Sequence, residues 1–102
     1  MADLIYSYGK VGAAVQKLAT HPGEIKTRLA SAAGDLVGAT AGAMPTEETK
    51  IYMARIAKAL YGSGSVEKAV TLMSVDDARA IAQDLVSLEA MLDELVRETK
   101  AD

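Results

Sequence analysis

The chain has 102 residues, half of them apolar and a quarter charged, with a net charge of −3 at pH 7. That is the size and balance of one globular domain over residues 1–102. It lacks Cys, Phe and Trp, which excludes a disulfide framework, a thiolate metal site and a cysteine nucleophile and leaves an aliphatic core. An acidic balance with scattered Lys and Arg lacks the basic face of a nucleic-acid binder, so no nucleic-acid partner is expected.

Leu4, Tyr8, Val11, Val15 and Leu18 recur at helical spacing and predict a first helix with one apolar stripe. It should stop near Thr20-His21-Pro22-Gly23, because the residue before Pro leaves helical geometry and Gly interrupts the helix beyond it. The opening Met1-Ala2-Asp3-Leu4 has neither the basic region nor the apolar run of a secretory signal, so a cytoplasmic location is expected.

The second helix repeats the rhythm with Ile25, Leu29, Ala32, Leu36, Ala39 and Ala43, and the short turn before it predicts an antiparallel hairpin. Gly34, Gly38 and Gly42 then fall in one row along it. Each interior Gly costs a helix about 1 kcal/mol against Ala, so the row implies a gain from close approach of another helix or a groove. Leu29 to Met44 contains Asp35 and falls short of the ~20 apolar residues that span a bilayer, so no membrane partner is expected.

Pro45 should end that helix, with Thr46 as the N-cap of a third helix and Glu47 and Glu48 at its positive dipole end. Met53, Ile56 and Leu60 form its core stripe, and Gly62 its stop. Ser65 caps a short fourth helix through Met73, facing inward with Val66, Ala69, Val70 and Met73. Ser74 followed by Asp77 reads as a variant capping box. It opens a long last helix whose Ala78, Ile81, Leu85, Leu88, Leu92 and Leu95 alternate three and four apart, a heptad seam.

The expected fold is all-α: a bundle of about five helices comprising an antiparallel hairpin, a middle helix, a short helix and a long C-terminal heptad helix. Nineteen Ala and eight Gly keep the core thin at about 25 cal/mol per Å² buried, so a homo-oligomer or a partner should complete it. Interface candidates are Gly34, Gly38 and Gly42 with Leu85, Leu88, Leu92 and Leu95.

A second set could hold a small anionic ligand. Tyr61-Gly62-Ser63-Gly64-Ser65 precedes a helix start, where backbone N–H groups and the dipole attract anions. Lys68, Lys26 and Arg28 supply the nearby charge. The loop lacks the strand and the Lys-Ser/Thr ending of a phosphate loop. His21 stands alone in a turn without an orienting partner, and Asp76 and Asp77 are first-turn acids. No catalytic residue, metal or cofactor is assigned. A helix-turn-helix reading of residues 56 to 73 fails, because Val66 to Met73 offers one Lys and no Arg, Asn or Gln to read bases. The expectation is a non-catalytic, self-associating interaction protein that regulates or inhibits a protein partner; the alternative is a small protein holding an anionic nucleotide-like ligand at a helix N-terminus or subunit interface.

Overall fold

The computed structural model describes residues 2–101. Helix α1 (Ala2–Thr20) is followed by α2 (Ile25–Asp35), a 3-10 turn (Ala41–Ala43), α3 (Glu47–Tyr61), α4 (Val66–Leu72) and α5 (Val75–Ala101). The described residues form no strand. The 27 residues of α5 at 1.5 Å each reach roughly 40 Å, which accounts for the longest dimension in a body of 44 × 25 × 20 Å.

Helix α5 is the axis of the bundle. Its Ala78, Ile81, Leu85, Leu88 and Leu92 are buried as the heptad pattern requires, but at the next step Val96 takes the core position and Leu95 is only half-buried. A straight helix turns every 3.6 residues, so a seam of period 3.5 drifts off its face by the fourth turn. Helix α1 runs antiparallel along one side: the Tyr8 hydroxyl donates to Asp93 at 2.7 Å, and Gly12 lies beside Glu89. Helix α3 runs antiparallel along another side, with Arg55 gripping the Asp84 carboxylate through Nε and Nη2 at 2.9 and 2.8 Å.

The innermost stripe of α1 is Leu4, Ser7, Val11, Ala14 and Leu18. Tyr8 and Val15 flank it half-buried, one position round from where the apolar pattern set them. The small Ser7 and Ala14 let α1 settle close to its neighbours.

Three caps fall where the sequence puts them. Thr46 accepts from the Thr49 N–H at 3.2 Å while Thr49 Oγ1 accepts from the Thr46 N–H at 3.0 Å, a reciprocal box that holds Thr49 fully buried at the start of α3. Ser65 Oγ accepts from the Lys68 N–H at 3.2 Å, and Ser74 Oγ from the Asp77 N–H at 3.0 Å.

Helix α2 corrects the expected glycine row. It ends at Asp35, and Gly38 takes φ +97° in the turn beyond it. Gly42 lies in the separate 3-10 turn. Gly34 alone of the three remains helical, and beyond its own stretch of helix backbone nothing stands within 4 Å of where its Cβ would be. Continuing the helix would cost about 1 kcal/mol at each glycine. The chain instead turns back at Leu36, so that Leu36, Ala39 and Met44 are all buried. The Tyr6 hydroxyl fills the space a side chain at Gly38 would need.

Candidate functional site

The leucine seam is covered by its own chain. Leu85, Leu88 and Leu92 are fully buried among the other helices, so the folded single copy offers none of the three to a second molecule. Large apolar surface lies elsewhere, at Ile5, Tyr6, Val37, Ile51, Leu72, Val75 and Val86.

The residues of the Gly-Ser loop are committed to local structure. The Tyr61 hydroxyl donates to the Ala33 carbonyl at 2.7 Å, and burial pushes its phenol pKa up. Gly62 caps α3, Gly64 turns the chain at φ +88°, and Ser63 Oγ donates to the Ser65 carbonyl at 3.1 Å. Ser65 caps α4, which has only seven residues, and Lys68 is exposed. His21 Nδ1 donates to the neighbouring Pro22 carbonyl at 2.7 Å.

Lys26 and Arg28 are drawn to a different place. The C-terminal end of α1, the first turn of α2 and the N-terminal half of α5 enclose a groove of about 400 Å³. Val15, Leu18, Ala19, Ile25, Ala82 and Val86 give it an apolar lining, and Arg28, Arg79 and Gln83 supply its polar groups. It continues into a depression of about 540 Å³ that adds Glu24, Lys26 and Val75. Both are open to solvent.

The geometry follows from helical spacing. Val75, Arg79, Ala82 and Val86 recur at four, three and four along α5 and so share a stripe beside the core stripe. Helix α1 is antiparallel to α5, which brings Val15 and Ala19 alongside that stripe. The hairpin then returns Ile25 and Arg28 to the same end. Lys26 Nζ donates to the Thr71 carbonyl at 3.0 Å on the far side of α2.

Arg28 is under-satisfied. Its Nη1 donates to the Leu18 carbonyl at 3.0 Å, and its Nε is buried without a hydrogen-bond partner among the described residues. Arg79 faces Asp76 at 3.9 Å with both side chains largely exposed, a pairing that contributes little. Arg28 and Arg79 line this end together with the Glu24 carboxylate, Asp76 stands beside Arg79, and the Lys26 ammonium is turned to Thr71.

Two other clusters stand apart. Along α1 and α5, Asp93 accepts from Tyr8 and pairs with Arg97 at 3.0 Å. Next to it, burial and the Asp93 charge raise the Glu89 pKa. A shallow depression beside the start of α3 carries Glu48, Glu94 and Glu98 around Met91 and Leu95. Among the described residues no group of three or more His, Cys, Asp or Glu is placed to hold a metal, and no helix is long and apolar enough to cross a membrane.

Sequence reasoning found Lys26 and Arg28 but missed their company. Arg79 lies fifty-one positions beyond Arg28, and the one available signal was the stripe of Val75, Ala82 and Val86 beside the core stripe of α5. The chain matches no protein-family model, and neither the curated proteins nor the solved structures show a significant match to it.

Proposed function

We propose that this chain is a non-catalytic helical interaction protein that regulates or inhibits a protein partner, docking it in the groove between α1, α2 and α5. The observation that carries the reading is an apolar groove in which Val86 is 45% exposed and which Arg28 and Arg79 also line. Small-molecule sites enclose roughly 70–90% of their ligand, whereas an open groove along a helix suits a helix laid into it. Self-association belongs to the same reading only through surface residues such as Ile5, Ile51 and Leu72, which are exposed.

A photo-crosslinking amino acid at position 86, compared with one at position 51, tests the reading in the cells that make the protein. Ile51 is 58% exposed and lines no part of the groove. A discrete protein adduct from position 86 and none from 51 is expected; none from 86, or the same from both, contradicts it.

The second reading is a small anionic ligand, nucleotide-like in its charge, in the adjoining depression. It is supported by Arg28 and Arg79, which both line that depression. A rise in melting temperature with nucleotides, lost in Arg79→Glu, would favour it, since a ligand bound only by the folded state stabilises that state.

A further inference from the structure

We infer that the partner presents an acidic amphipathic helix of about three turns to this groove. The inference rests on the groove being the docking surface, and it adds the chemistry of the segment that docks there. From Val75 to Val86 the exposed stripe of α5 covers eleven residue steps, roughly 16 Å, which matches three helical turns. Ala19 and Ala82 are the small side chains of the lining, between the larger Val15, Ile25 and Val86. Small residues let a helix axis come within the 8–10 Å of ordinary helix packing, and larger ones beside them fill the spaces around its side chains. The occupant therefore carries apolar residues at i, i+3 or i+4, and i+7 on one face.

Charge fixes the rest of that helix. Arg28 and Arg79 both line the groove, while among the described lining residues the one carboxylate is Glu24 at its end, with Asp76 next to Arg79 outside the lining. Arg28 lines the groove beside its aliphatic residues, and a guanidinium is matched by the paired oxygens of a carboxylate. Arg79 is held only by an exposed contact to Asp76 at 3.9 Å, so an incoming carboxylate displaces little. Asp or Glu flanking the apolar face of the occupant answers both. A nucleic acid fits poorly, because the groove is lined by aliphatic side chains and includes no Tyr on which a base would stack.

A phage-displayed library of single amphipathic helices with randomised flanking positions, selected on the whole chain, tests this. Selected helices are expected to be enriched in Asp and Glu and to bind Val86→Gln and Arg79→Glu about tenfold or more weakly, with circular dichroism confirming that both variants fold. Helices without acidic enrichment that still lose binding to Val86→Gln overturn the acidic partner and leave the groove standing. Helices indifferent to both variants, or no selected helix at all, overturn the groove as well.

Discussion

The Tyr61 hydroxyl donates to the Ala33 carbonyl oxygen at 2.7 Å, so the last residue of α3 closes the end of α2. That carbonyl also accepts the Leu36 N–H at 3.2 Å, in the turn where α2 stops. Tyr61→Phe leaves the ring in place and removes one donor from a half-buried site. The expected cost is about 1 kcal/mol, read as a fall of about 5 °C in melting temperature.

The same phenol gives a pH dependence. Burial raises its pKa above the ordinary 10.0, so the folded state holds that proton more tightly than the unfolded chain. Its contribution is complete below pH 10 and is lost as pH rises through the folded value. Tyr8 acts in the same direction through its hydrogen bond to Asp93. Urea midpoints are expected to fall at alkaline pH, and to fall less in Tyr61→Phe.

Gly34 and Gly38 should respond to alanine with opposite signs. Gly34 is an exposed residue of α2 with open space at its Cβ, so Gly34→Ala gains up to about 0.5 kcal/mol of helix propensity. Gly38 has φ +97° and the Tyr6 hydroxyl against it, so Gly38→Ala loses about 1–2 kcal/mol. Chemical denaturation of the two variants separates this turn from a continuous glycine-lined helix, in which both positions would answer alike.

Leu88 is fully buried within the single chain. Leu88→Ala is expected to cost about 3 kcal/mol, with the difference in melting temperature between variant and parent the same at low and high protein concentration in calorimetry. A loss that grows on dilution would place Leu88 in an interface between copies.

Glu89 is strained electrostatically at neutral pH. Burial and the nearby Asp93 raise its pKa above 4.5, so the folded state binds this proton more tightly than the unfolded chain. The favourable contribution is whole below pH 4.5 and disappears as pH rises through the raised value. Glu89→Gln keeps the shape without the charge, and is expected to be more stable than the parent at pH 7 and to lose that advantage at pH 4.

Local signals made much of the architecture legible. Thr46, Ser65 and Ser74 announced three helix starts because a side-chain oxygen that accepts from an N–H three residues on is a short-range device. The seam from Ala78 to Leu92 identified α5 because one periodicity was sustained over several turns. The end of α2 was hidden for the opposite reason: Leu36, Ala39 and Ala43 keep helical spacing, while the turn is what buries Leu36, Ala39 and Met44 against the other helices. The groove was hidden in the same way. Val15, Ile25 and Val86 belong to three segments, and no reading along the chain shows that Arg28 ends beside Arg79 with a donor to spare.

The central claim, that the α1–α2–α5 groove is the docking surface, is tested most directly by methyl-resolved NMR of the whole chain titrated with a helix selected from the library. The methyl signals of Val15, Ile25 and Val86 are expected to shift together, while those of Ile51 and Leu72 stay in place. Shifts at Ile51 or Leu72 with the groove methyls unmoved would contradict it.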